Sequence, residues 1–338
     1  MVRIDSALTD AFLASAFGDA WGYLHEFSTY SQIIARNSAI PKLLKISDDT
    51  QMAIATFEAT ADILTVAESE VTSDVSAGNS KLGASADADG AIRKTYTDHY
   101  LEWSQSPLND RAPGRTVMTA LTEVLKGYRP ATIPVVNNSL GCGTVMRTPV
   151  LAMFTELTDE DVFHLAVVSS TTTHGHKLGH FVGGLAPVFV RRIQTAKLQT
   201  GKQAFELATE LAQELAQQFS YQTEAAGFIA RLSELAQTWE ELEITGDICA
   251  IGGEGWIADE CFITALIGFA LALDGGAKSL QERLLPCIQT QGDTDSIACV
   301  AGWMIGAHFQ LLDSERGFIV QHLEPEYAKW FKNRVISS

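Results

Sequence analysis

A chain of 338 residues, 46% hydrophobic and with a mean hydropathy close to zero, can bury a sizeable core, which excludes a disordered protein. Its formal net charge of −17 argues against nucleic acid or an anionic membrane as the main partner. If the substrate is itself anionic, metals, backbone amides or a few basic side chains must supply local positive potential.

Apolar residues at three- and four-residue spacing predict helices over 4–24, 52–66, 117–125, 161–170, 205–219, 258–273 and 297–311. Alternating strands are scarce, and 133–136 is the best short extended candidate. Pro41, Pro107, Pro113, Pro130, Pro134 and Pro286 fall between the helical stretches, where they punctuate without breaking a helix. Two long irregular segments, 28–46 and 69–90, interrupt the pattern, and the second is expected to be mobile. The expectation is an all-α fold, a single compact multi-helix domain over 1–338 with a binuclear metal cleft.

Five cysteines, Cys142, Cys249, Cys261, Cys287 and Cys299, form no CxxC pair, and the last three sit among apolar residues as small buried hydrophobes. That usage fits a reducing cytosol. Asp5 and Asp10 interrupt the apolar run a signal peptide would need. The longest apolar stretch, 261–273, falls short of the ~20 residues of a membrane span. The sequence therefore reads as soluble and cytoplasmic.

The chemistry is concentrated in two acidic motifs more than two hundred positions apart. Ser47-Asp48-Asp49-Thr50 precedes one helical stretch, and Gly292-Asp293-Thr294-Asp295-Ser296 precedes another. Either one alone has the composition of a helix N-cap with first-turn acids. A cap, however, needs a single side-chain oxygen, and both motifs carry surplus carboxylates beside hydroxyls. Oxygen-only clusters suit Mg²⁺ or Mn²⁺ rather than zinc or copper. Brought together, four carboxylates would repel one another strongly, and a two-metal site resolves that repulsion.

Other stretches carry weaker signals. Gly18-Asp19-Ala20-Trp21-Gly22 closes the first helix, with glycines that permit a close backbone approach, and Glu26 follows in an aromatic setting that suits proton transfer. The loop from Gly141 through Cys142, Gly143 and Thr144 to Met146 and Arg147 has the glycines of a phosphate-binding turn. Arg147 either counters an anion or ties the following segment down. A Cys142/His nucleophile pair would lack an orienting partner. His176 and His180 have zinc-like spacing, but zinc would leave the carboxylates unexplained. His174 is better read as a neutral contact to ribose or phosphate. Gly252-Gly253-Glu254-Gly255-Trp256 enters an apolar helix and offers Trp256 for stacking on a ring.

In this order the blocks resemble the ADP-ribosylglycohydrolase family, which includes the dinitrogenase reductase-activating glycohydrolases and the ADP-ribosylarginine hydrolases. The likeness runs from about residue 13 to residue 308. It implies an all-helical fold holding two Mg²⁺ (or Mn²⁺), with Ser47, Asp48, Asp49, Asp293, Asp295 and Ser296 as ligands. It also implies Glu26, Asp293 or Asp295 in proton transfer, and ADP-ribose held by Gly141, Cys142, Gly143, Thr144, Met146, His174 and Trp256. Ser47 and Ser296 stand where the family usually has Thr, so a hydroxyl is kept. Cys142 stands where it usually has Asn, so one polar contact is not carried over. The implied activity is removal of ADP-ribose from modified protein side chains, arginine first. A specialised version of that activity is immunity against an ADP-ribosyltransferase toxin; the charge and the short apolar stretches leave no nucleic acid and no membrane among the expected partners. The alternative is a non-catalytic immunity protein that occludes a toxin's active site.

Overall fold

The computed structural model describes residues 2–36, 39–70, 85–276 and 278–336. Among the described residues there are fifteen α-helices and no strand. They are α1 (Thr9–Gly22), α2 (Tyr30–Ala35), α3 (Asp48–Glu70), α4 (Ala86–Ser104), α5 (Arg115–Leu125), α6 (Asp159–Ser170), α7 (Lys177–Thr195) and α8 (Gly201–Gln218). The chain continues through α9 (Gln222–Thr238), α10 (Cys249–Gly252), α11 (Ala258–Asp274), α12 (Leu280–Ile288), α13 (Thr294–Phe309), α14 (Asp313–His322) and α15 (Pro325–Phe331). Reciprocal capping boxes, Thr158 with Asp161, Thr200 with Gln203 and Ser279 with Glu282, start α6, α8 and α12. No helix among the described residues is long and apolar enough to cross a membrane.

Each helix expected from apolar spacing is present, with its ends shifted by a few residues. Three long ones, α4, α7 and α9, escaped that reading. In α7 the pattern is broken by Pro187 and by two adjacent glycines that the packing requires. A Cβ on Gly184 would lie 2.6 Å from the Phe163 ring, and one on Gly183 would lie 2.8 Å from the Ser170 hydroxyl. These glycines let α7 lie directly on α6. The buried stripe of α4 is aromatic, made by Tyr96, Tyr100 and Trp103 with Ile92. Its polar tips are all bonded: Tyr100 to Thr56 and Ser169, Tyr96 to Thr60, and Trp103 to Gln51. Residues 86–90 of the expected irregular segment open this helix, and 71–84 lie outside the described residues. The short segment 133–136 pairs with no strand; its Val135 amide donates to Thr171 O instead.

One hydrophobic cluster runs from Leu8 to Val335. At its centre α1 and α13 are buried on nearly every side, in keeping with apolar and small residues spread all round both helices. They pack antiparallel, backbone to backbone. A Cβ on Gly18 would lie 2.2 Å from Ala298 O, and one on Gly22 2.6 Å from Thr294 O. On the facing helix, a Cβ on Gly302 would lie 2.5 Å from Ala14 O, and one on Gly306 2.6 Å from Asp10 O. Four-residue glycine spacing on both partners permits this contact. Its consequence is positional: the C-terminus of α1 is pressed against the N-terminus of α13, where the second acidic motif lies.

Candidate active site

Asp19, on the last turn of α1, joins the first acidic motif to this pair. It is fully buried, and its Oδ1 accepts from the Ser47 amide at 2.9 Å. Its Oδ2 accepts from the Thr50 amide at 3.1 Å and from the Thr50 hydroxyl. One side chain thus caps α3 from outside that helix. The Ser47 hydroxyl accepts from the Asp49 amide at 3.1 Å. Upstream, Arg111 donates to Ile46 O at 2.8 Å and forks onto both oxygens of Glu324, which fixes the strand of chain entering the motif.

The second motif is set by backbone. Gly292 has φ +93°, and a Cβ there would lie 2.1 Å from Glu254 O. The Asp293 amide donates to that same carbonyl at 2.8 Å, so the turn ties α13 to the Gly252–Trp256 block. That block in turn pairs with the glycine loop: Cys142 N donates to Trp256 O at 3.1 Å and Ala258 N to Leu140 O at 2.8 Å.

These elements enclose a cleft of about 370 Å³. Five carboxylates line it: Glu26, Asp48, Asp49, Asp293 and Asp295. One oxygen from each of Glu26, Asp293 and Asp295 lies within 4.8 Å of the others, a grouping able to hold a cation. Ser296, Gly141, Cys142, Gly143, Met146, His174 and Trp256 complete the lining expected from sequence. Ser47 and Thr144 do not reach it. Both are fully buried, Ser47 beneath the α3 N-terminus and Thr144 under the glycine loop against Gly183. Cys142 Sγ donates to Asp293 Oδ2 at 2.9 Å, and the Ser296 hydroxyl points at the same sulfur at 3.6 Å.

Burial pushes every one of these acids up, and repulsion from neighbouring acids adds to it for all but Asp295. Desolvation, then the charge of Asp295, raises Asp48 to about 8 and Glu26 to about 9. Asp19 rises to about 7 for the same two reasons, opposed by its bonds to Thr50 and Ser47. Burial also lifts Asp49 and Asp293 well above the ordinary carboxylate range and raises Asp295. Two buried oxygens, Asp49 Oδ2 and Asp295 Oδ1, have no hydrogen-bond partner among the described residues.

His174 borders the opposite wall, its ring seated where Gly141 and Gly143 leave room. Burial, with Arg147 nearby, pushes its pKa well below the usual value, so it is neutral. Arg147 is itself fully buried and stacks over the Tyr100 ring at 4.7 Å, away from the cleft lining. His176 and His180 make no metal-like grouping: His176 Nδ1 accepts from Leu178 N and His180 Nε2 donates to His174 O. At the rim, Phe27 stacks on Trp256 with ring centroids 5.6 Å apart. Phe27, Asp19, Arg111, Arg115 and Gly114 were not singled out as site residues from sequence. Only Asp19 carried a signal, an acid between two helix glycines.

A profile of the family described as ADP-ribosylglycohydrolase matches residues 2–311. No curated protein sequence matches the chain. Among solved structures, an "ADP-ribosylglycohydrolase-related protein complex" has a similar fold, with a TM-score of 0.56 at 17% identity over 98% of this chain and 97% of that one. The match over nearly the whole length, on a helical fold whose ordered blocks meet in one acidic cleft, identifies the chain as a member of the ADP-ribosylglycohydrolase family, hydrolases acting on ADP-ribose linkages.

Proposed function

We propose that this protein is a metal-dependent hydrolase that removes ADP-ribose from modified arginine side chains and so protects a cell against an ADP-ribosylating toxin. The observation that carries this reading is the convergence of both acidic motifs and Glu26 on one cleft, with two buried carboxylate oxygens left without donors. Uncompensated, such a cluster is self-repelling; divalent cations with oxygen ligands fit it. Asp48, Asp49, Asp293, Asp295 and Ser296, which line the cleft, would hold two Mg²⁺ or Mn²⁺ ions, with Ser47 beneath them bonding the Asp49 amide. Bound there, such ions supply stabilisation of developing negative charge and a more acidic coordinated water.

The chain's own groups would do the rest. Glu26 sits on the partly exposed turn after α1, where it can hold the proton that the reaction moves, with Asp293 and Asp295 beside it. The glycine loop and neutral His174 offer the donors that a diphosphate needs in a protein of charge −17. Trp256, 39% exposed at the rim, offers a face for a ring.

Incubating metal-loaded protein with ADP-ribosylarginine and assaying free ADP-ribose tests the activity directly. Release is expected with Mg²⁺ or Mn²⁺ and none with a chelator; absence of release in both would sink the reading. Co-expressing wild type or Asp48→Ala with an arginine-modifying toxin tests the role. Loss of protection in the mutant supports hydrolysis, whereas full protection by the mutant with the target left unmodified would leave occlusion as the mechanism.

A further inference from the structure

Arg147 is a buried cation with no carboxylate partner among the described residues, and the cleft chemistry leaves it unused. Its Nη2 donates to Ser169 O at 2.9 Å and to the Thr173 hydroxyl at 2.9 Å. A guanidinium only donates, so the Thr173 oxygen accepts here. The same hydroxyl lies 2.9 Å from His174 Nδ1; it is fully buried and has no other acceptor among the described residues, so its own proton is directed at that nitrogen. A neutral imidazole accepting at Nδ1 carries its proton on Nε2. Nε2 is the atom that faces the glycine loop, 3.1 Å from where a Cβ on Gly141 or Gly143 would stand, and no protein group among the described residues bonds it.

The backbone around His174 is pinned as well. Its carbonyl accepts from His180 Nε2 at 2.7 Å, and the next amide, Gly175 N, donates to Asn137 Oδ1 at 2.8 Å. A Cβ on Gly175 would lie 2.1 Å from Asn137 O, so this approach requires glycine. The ring is 2% exposed and lines the cleft.

We propose that Arg147 and Thr173 are positioning residues that lock His174 as its Nε2–H tautomer, presenting a donor to a phosphate oxygen of the ADP-ribose group. The inference rests on the proposed function for its ligand but not for its tautomer. A donor-only contact is the right complement to a diphosphate, which has only acceptors at neutral pH. A flipped tautomer would present a lone pair to an anion, and binding would suffer from repulsion as well as a lost hydrogen bond.

The test uses the full-length, Mg²⁺-loaded protein with ¹⁵N-labelled histidine. Long-range ¹H–¹⁵N spectra report which ring nitrogen of His174 is protonated, with His174→Gln identifying the signal. Calorimetry with ADP-ribose reports affinity. Wild type should show Nε2–H. Thr173→Val should lose that preference and weaken ADP-ribose binding by roughly ten-fold, the value of one hydrogen bond to a charged acceptor. Thr173→Ser, which keeps the hydroxyl, should restore both. Nδ1–H in wild type, or a Thr173→Val variant with unchanged tautomer and affinity, would overturn the proposal. Failure of wild type to bind ADP-ribose would instead remove the proposed function, while the spectrum still decides the relay.

Discussion

The two acidic motifs put carboxylates into one cleft, but they are held there by different means. The first hangs on side chains: Asp19 gathers Ser47 and Thr50, and Arg111 with Glu324 anchors the residue before them. The second is fixed by main chain, through the positive-φ turn at Gly292 and the Asp293 amide on Glu254 O. Both ways bond the backbone that carries the acids, and in each motif one buried carboxylate oxygen, Asp49 Oδ2 or Asp295 Oδ1, is left without a donor among the described residues. The lesson is that repelling carboxylates are kept in place by pinning their backbone, which leaves their charges free for the ligand role proposed above.

The largest effect should be common to both motifs. Asp49→Ala and Asp293→Asn, one from each motif, should each lower ADP-ribose release by at least ~100-fold at saturating Mg²⁺. Chelated samples of these variants should melt no lower than wild type, since a repelling charge has gone. Near-normal turnover in either would separate that motif from the site.

Gly292→Ala tests the backbone-held motif. A Cβ at this φ and within 2.1 Å of Glu254 O should cost about 3 kcal/mol, read by urea denaturation. Asp19→Ala tests the side-chain-held motif. It strips buried Ser47 and Thr50 amides of their acceptor and should cost about 2 kcal/mol. It should also weaken Mn²⁺ binding measured by calorimetry, because the α3 N-terminus would no longer be held against α1. Equal metal affinity in Asp19→Ala and wild type would show that the first motif is positioned by its own helix alone.

The smallest effect is a pH slope. Folded-state values of about 7, 8 and 9 for Asp19, Asp48 and Glu26 lie above those of an unfolded chain. Groups raised in this way contribute stability below their unfolded pKa of ~4 and lose it as pH rises through the folded values. Metal-free protein should therefore melt at lower temperature as pH goes from 5 to about 9. Mg²⁺ should flatten that decline, since metal binding is coupled to loss of the same protons. A metal-free melting temperature that rises over this range would contradict the raised values.

Much of the site was legible in the chain because its signals are local. A carboxylate pair at a helix start, a glycine loop and a Thr-His step each declare their chemistry within a few residues. The glycines of the Gly18–Gly22 block were read as allowing a close approach, and that approach is to α13. What was hidden depends on partners far away in sequence. Asp19 has no visible role until Ser47 and Thr50 fold onto it. Arg147 had two readings from sequence, an anion contact or a structural tie, and only burial beneath Tyr100 and Thr173 distinguishes them. The helix α7 stayed hidden because packing against Phe163 and Ser170 demands glycines that propensity counts against a helix.

The amino-acid sequence by itself determined the helical class and the oxygen-rich chemistry, since apolar period and residue type act over one or two turns. Tertiary structure alone decided which carboxylates meet and which are left without donors. It also decided that Thr144 and Ser47 lie beneath the cleft surface while Phe27 stands at its rim. Those outcomes follow from the backbone contact of α1 with α13, which joins residues almost three hundred positions apart, and no local pattern encodes a distance between them.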